Sequence, residues 1–286
     1  VILQPFAQRI TTIYGQPGQT WLDNLPTLLD ELALSWNVEI GEPFEGLTYN
    51  YVTRANGPNQ EPCVIKVGIG TPEGDRESLA LQEYAGQGAV QVLRHDVARH
   101  AMLLERIDPG TMLTDVDDEK GTEIAADVLA QLWRPTVSDF PDLQTWTQAL
   151  EKISAQPNPL PSDVLDRAVS LKKELLSNPP ESLLLHGDLH HYNILLSKDR
   201  GWLAIDPKGV MGERAYDIVA FLNNPRAMTG EETQRRISIF VERLNLDRER
   251  VVAWAYVQSI VSACWTVEDG EEGWEGAVDL AKSFKF

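Results

Sequence analysis

Between Leu183 and Asp206 the chain reads LLLHGDLHHYNILLSKDRGWLAID. Leu183–Leu185 has the pattern of a short buried strand, 194–196 of a second and 202–205 of a third, with Lys198-Asp199-Arg200-Gly201 as the turn joining the last two. The segment His186-Gly187-Asp188-Leu189-His190-His191-Tyr192-Asn193 is then a loop pinned between strands, and Asp206 stands at the end of the third strand, before Pro207. Ionisable groups carried on a loop and a strand end, with apolar strands to fix them, are a common way of building an active site.

The rest of the chain changes character once. Trp21, Leu22, Leu25, Leu28, Leu29, Leu32, Ala33 and Trp36 recur at helical spacing and predict an amphipathic helix over 21–36. Segments 46–54 and 63–67 read as strands, and Ala55-Asn56-Gly57-Pro58 makes them an antiparallel hairpin. A helix is expected over 77–86, with Leu79, Ala80 and Tyr84 towards one face, then strands over 89–93 and 101–105. Asp108-Pro109-Gly110 breaks the pattern, and helices are expected over 123–133, 143–153 and 164–176. Strands first and helices afterwards imply an α+β protein of two lobes, 1–107 and 108–286.

Composition narrows the function. The 286 residues suffice for a two-lobed unit with a sizeable core. No apolar run reaches the 18 residues or so of a transmembrane helix. Residues 1–10 lack the basic start and long apolar stretch of a signal peptide. Two cysteines, Cys63 and Cys264, make neither a disulfide framework nor a zinc site, so a reducing cytoplasm is expected. The formal net charge of −18 repels nucleic acid and anionic membrane and attracts cations. It fits both an acidic solubilising surface and a carboxylate-lined cleft for a cationic small molecule. Nothing in the chain calls for an obligate protein partner.

Phosphoryl transfer needs little from a protein beyond positioning and charge neutralisation. It needs a carboxylate near the incoming hydroxyl, hard oxygen ligands for Mg²⁺ and a cation on the phosphates. Asp188 and Asn193 stand five apart, the spacing of Asp and Asn in H-R-D-x-x-x-x-N, and the hairpin returns Asp206 towards Asn193. Lys66 lies in Val-Ile-Lys-Val, close in form to the V-A-I-K strand of kinases, and Glu77 on the next helix can pair with it. Taken singly, Lys66 reads as an edge-strand lysine, Glu77 as a solvated helix residue and Asp206 as a turn residue. Their order along the chain makes the set. His186 reads as a core histidine bonding the loop backbone.

His186-Gly-Asp-Leu-His-His-Tyr-Asn193 followed by Ile205-Asp206-Pro207 resembles the signature of the aminoglycoside phosphotransferases. Within that family it is similar to the aminoglycoside and hydroxyurea resistance kinases, which include streptomycin 6-phosphotransferases. Glu77-Ser-Leu-Ala-Leu, Gly88-Ala-Val-Gln-Val-Leu, Leu103-Leu-Glu-Arg-Ile and Gly212-Glu-Arg-Ala-Tyr-Asp217 support the likeness, which runs from about residue 40 to about 225. The resemblance implies a protein-kinase-like bilobal fold, with an antiparallel-sheet N-lobe for the nucleotide and a mainly helical C-lobe for the acceptor. It implies Asp188 as catalytic base, Asn193 and Asp206 as Mg²⁺ ligands, Lys66 on the phosphates of ATP or GTP with Glu77 positioning it, and Glu105 to Ile107 as the hinge against adenine. Asp217 would begin a C-lobe helix.

The chain departs from protein kinases in two places. In place of G-x-G-x-x-G it has Glu45-Gly-Leu-Thr-Tyr-Asn-Tyr51, where Thr48, Tyr49 or Asn50 would supply donors, and Pro207 replaces Phe-Gly after Asp206. Carboxylates hold cationic aminoglycosides in the resembling family, which points to Glu268 and Asp269. Choline, amino alcohols and sugars are alternative acceptors on the same scaffold. Two other readings differ in class. One is a metal-dependent hydrolase built on His186-x-Asp188-x-His190-His191, for which only His95 and His100 remain as further histidines. The other is a catalytically silent pseudokinase.

Overall fold

The helical periodicity seen over 21–36 extends back to Gln4. In the computed structural model, which describes residues 2–225, 230–270 and 272–284, helix α1 spans Gln4–Trp36. Gly15 divides it with φ 58° and ψ −135°, a backbone that a residue lacking Cβ adopts at little cost. Pro17 follows where the second segment starts and a missing N–H does no harm. This Gly/Pro punctuation hides the first half of the helix from a reading by periodicity. Asn37, in the left-handed region, closes the C-terminus.

The chain divides into two compact units, Val1–Gly110 and Thr111–Phe286. The first holds an antiparallel sheet of β1 (Glu39–Pro43), β2 (Tyr51–Asn56), β3 (Pro62–Val67), β4 (Val92–Asp96) and β5 (Ala101–Glu105), in the order β1-β2-β3-β5-β4. Phe6, Ile10, Leu25 and Leu32 of α1 share one core cluster with Tyr51, Cys63, Ile65, Val67, Ala101 and Leu103. Strand side chains alternate between faces, so burying Cys63, Ile65 and Val67 against α1 sends Val64 and Lys66 to the opposite face. Helix α2 (Pro72–Tyr84) follows β3, capped by the Thr71 hydroxyl, which accepts the Gly74 N–H at 3.3 Å. Strand β4 lies three residues beyond its expected place. Ala89 and Val90 are buried all the same, outside the strand.

In the second unit α3 (Asp118–Leu132), α4 (Leu143–Trp146), α5 (Ala149–Ser154) and α6 (Ser162–Ser177) precede the short strand β7 (Leu183–Leu185). The expected helix over 143–153 is thus two pieces, broken near Thr147. Strands β8 (Ile194–Ser197) and β9 (Gly201–Ala204) form a hairpin in a three-stranded sheet with β6 (Pro109–Met112), and β10 (Val210–Gly212) pairs with β7. Then come α7 (Arg214–Asp217), α8 (Val219–Leu222), α9 (Gly230–Leu244), α10 (Arg248–Glu268) and α11 (Trp274–Ser283). Helix α10 is buried on nearly every side between α5, α6, α9 and α11, and forms the axis of this unit. No described helix is long and apolar enough to cross a membrane.

Candidate active site

Strand β7 ends at Leu185, and the next residues are held by their backbone. The Asp217 carboxylate accepts the His186 N–H at 3.0 Å, the Gly187 N–H at 2.7 Å and the indole N–H of Trp133 at 2.8 Å. The buried His186 ring takes the Asp188 N–H on Nδ1 at 3.2 Å, which leaves Nε2 to donate to the Ile205 carbonyl at 2.9 Å. One histidine therefore ties the loop carrying Asp188 to the strand end carrying Asp206. Burial pushes its pKa down to about 3, which keeps the ring neutral and the tautomer as described. Gly187 adopts φ 81°, so the chain turns without a side chain colliding with Val210.

Asp188 projects from this loop with its side chain about one-third exposed, and His190 Nε2 lies 3.9 Å from its carboxylate. The Asn193 amide donates to the Asp188 carbonyl at 3.0 Å, which leaves its oxygen available to a hard cation. The β8–β9 register sets Ile194 opposite Ala204, and the Ile205 N–H donates to the Asn193 carbonyl at 2.9 Å, so Asn193 lies one residue from Asp206 across the hairpin. Asp206 takes the left-handed backbone (φ 58°), which Asp tolerates better than most residues, and is exposed. Asp188 lines a cavity of about 100 Å³ together with Lys208, Tyr216, Gln258, Trp146 and Trp265.

In the first unit Lys66 Nζ pairs with Glu77 Oε1 at 2.6 Å, both side chains under a tenth exposed. The pair lines a small cavity with Asn50, Gly68, Gly70 and His100. Thr48 is exposed in the loop between β1 and β2. Glu105 ends β5, and its carboxylate accepts the Gln91 N–H at 2.8 Å; Ile107 is half-buried just beyond.

Two placements bear on the sequence reading. Asp217 ends the one-turn helix α7 instead of beginning one, because its carboxylate is spent on the His186–Gly187 backbone. Glu268 is ion-paired with Lys152 at the end of α10, Asp269 is exposed beyond it, and neither lines the Asp188 cavity. Sequence reasoning missed Trp146, Lys208, Tyr216, Gln258 and Trp265. They come from separate segments: Lys208 stands two residues past Asp206, Tyr216 directly before Asp217 and Trp265 three before Glu268, while Trp146 and Gln258 have no predicted site residue beside them. The hydrolase reading finds no support. Both His186 nitrogens are occupied, and the His191 ring stacks on Phe221 at 3.9 Å with Arg236 beside it. Among the described residues no three His, Cys, Asp or Glu side chains converge to hold a metal.

The family model of the aminoglycoside/hydroxyurea antibiotic resistance kinases matches residues 36–270, which takes in both the Lys66–Glu77 pair and the Asp188 loop. The chain belongs to that family. As an aminoglycoside/hydroxyurea antibiotic resistance kinase, it is a phosphotransferase. It is 28% identical to streptomycin 6-kinase of Streptomyces glaucescens over 99% of its own length and 97% of the relative's. It is 34% identical to streptomycin 3''-kinase of Klebsiella pneumoniae over 77% and 86%. Among solved structures it resembles the choline kinase LicA of Streptococcus pneumoniae (TM-score 0.65, 19% identity, 90% of this chain and 95% of that one). It also resembles the aminoglycoside phosphotransferase APH(4)-Ia (TM-score 0.64, 14% identity, 90% and 96%). These likenesses show that this kinase has the α+β, protein-kinase-like fold.

Proposed function

We propose that the protein transfers the γ-phosphate of ATP to a hydroxyl of a cationic aminoglycoside of the streptomycin type. The observation that carries this reading is Asp188, held on a loop by Asp217 and His186 and facing a cavity. A carboxylate so placed can orient an acceptor hydroxyl and take its proton as the phosphoryl group arrives. Lys66, held by Glu77, would steady the nucleotide phosphates, with the loop at Thr48 over them and Glu105 to Ile107 against the base. The Asn193 amide oxygen and the exposed Asp206 carboxylate are the hard donors that suit Mg²⁺ and would hold it. That ion, when bound, supplies positive charge to the phosphate oxygens. Glu268 and Asp269, just past Trp265, would add negative charge that attracts a cation. The acidic chain and its two buried free thiols, Cys63 and Cys264, suit a reducing cytoplasm.

The test is ADP release from ATP in the presence of streptomycin, other aminoglycosides, choline and amino sugars. Streptomycin-dependent turnover that disappears in Asp188→Asn, with ATP binding retained, is the expected result. Turnover with choline or an amino sugar and none with any aminoglycoside would replace the acceptor. No turnover with any acceptor would favour a pseudokinase.

A further inference from the structure

The cavity beside Asp188 has no carboxylate left over for a cation. Asp217 already accepts three N–H donors, and Asp188 must meet the incoming hydroxyl. Lys208 adds positive charge to the same wall. What the cavity does offer is aromatic surface. Trp146 of α4 and Trp265 of α10 meet edge to face, with ring centroids 6.0 Å apart and planes at 77°. Indole faces attract cations, and a planar, weakly hydrated guanidinium can in addition lie flat against them, which favours it over a compact, strongly hydrated primary ammonium.

The Trp146 indole N–H is shielded from solvent. It is turned to the Tyr216 hydroxyl, its partner within the wall. The Tyr216 hydroxyl is itself engaged with Gln258 Oε1 at 2.8 Å.

We infer that Trp146 and Trp265 are the acceptor-specificity residues of this enzyme, selecting a hydroxylated ring that bears a planar guanidinium cation. The guanidinium lies on an indole face. The inference rests on the reading of Asp188 as the group that meets the acceptor hydroxyl, and it transfers the task of holding the cation from carboxylates to aromatic rings.

The experiment compares wild type, Trp146→Phe, Trp265→Phe and Trp265→Leu. The probes are streptomycin as the guanidinium-bearing acceptor and aminoglycosides whose cations are all ammonium groups. Trp146→Phe exchanges the indole for a smaller, weaker cation-binding face, and should raise the KM for streptomycin about threefold. Trp265→Leu removes the aromatic face and should raise it about tenfold and narrow the preference for streptomycin over the ammonium-only compounds. The KM for ATP should stay within about twofold in each. Trp265→Phe, which keeps an aromatic face, separates loss of stacking from loss of folding. Unchanged streptomycin KM values in folded variants, with wild type active, would overturn the inference and leave the proposed function standing. Wild type inactive on every acceptor would overturn both.

Discussion

Asp217 Oδ1 accepts the Gly187 backbone N–H at 2.7 Å, a bond across thirty residues that fixes the loop from which Asp188 projects. Its other oxygen holds the His186 N–H. In Asp217→Asn one oxygen becomes an NH₂ group that faces an N–H donor. A buried donor is left unsatisfied, which should destabilise the second unit by about 1–3 kcal/mol in urea unfolding. Turnover should fall more than tenfold while the KM for ATP changes little. Wild-type turnover in this variant would show that the Asp188 loop holds its shape without the carboxylate.

Acid should act on the fold through the buried histidines. Burial pushes both His186 and His191 down to about 3, and the Arg236 guanidinium beside His191 adds to its shift. The unfolded chain takes up these protons near the ordinary value of about 6.5. Their stabilising contribution is therefore complete above about 6.5 and drains away as the pH falls towards 3. Asp217 runs the other way. Burial raises it to about 6 from 3.8, so between those values the folded protein binds its proton first and acid favours the fold. Two histidines outweigh one aspartate, so Tm should fall as the pH is lowered from 6.5 towards 4. His191→Gln should flatten that slope; an unchanged slope would remove His191 from the account. Protonating Asp217 also weakens its grip on the loop, so kcat should decline below about pH 6 while the protein is still folded.

The Lys66–Glu77 pair is buried, and breaking one partner leaves the other charge uncompensated. Lys66→Met or Glu77→Gln alone should destabilise the first unit by about 3–5 kcal/mol. Lys66→Met combined with Glu77→Leu should recover much of that stability, because two apolar side chains replace two desolvated charges. The double variant should still lack turnover. Calorimetry beside an ATP-consumption assay separates the two effects, and a double variant that turns over would remove Lys66 from the phosphate-binding role.

Gly187 offers a sharper probe of the loop. An alanine Cβ there would sit 3.0 Å from Val210 Cγ2 and 3.2 Å from Lys208 Cβ, on a backbone with φ 81°. The left-handed conformation alone should cost Gly187→Ala about 1–2 kcal/mol. Relief of the strain would shift Asp188, so kcat should drop more than stability does. Normal kcat with only a lowered Tm would mean that the loop absorbs the methyl group without moving Asp188.

Strand β5 and most of β3 were legible in the sequence because apolar residues run continuously where a central strand is covered on both faces. Strand β1 was not: Glu39–Pro43 is an edge strand, mostly exposed, with no apolar alternation to read. The first half of α1 was masked by Gly15 and Pro17. Helix α10 shows little amphipathic pattern, because a helix buried on nearly all sides has no polar stripe to mark its period.

The sequence by itself determined the loop chemistry: His186, Gly187, Asp188, Asn193 and Asp206 are close along the chain, and two strands and a tight turn dictate their spacing. It also determined that Glu77 can reach Lys66, eleven residues and one loop earlier. Only the tertiary structure decided that Asp217 holds the loop from below and that Trp146, Tyr216, Gln258 and Trp265 wall the cavity at Asp188. Those groups stand 28 to 77 residues from Asp188, on elements whose meeting depends on how α4, α7 and α10 pack. Local pattern carries no information about contacts at that separation, because the free energy that forms them is the burial of the whole helical core.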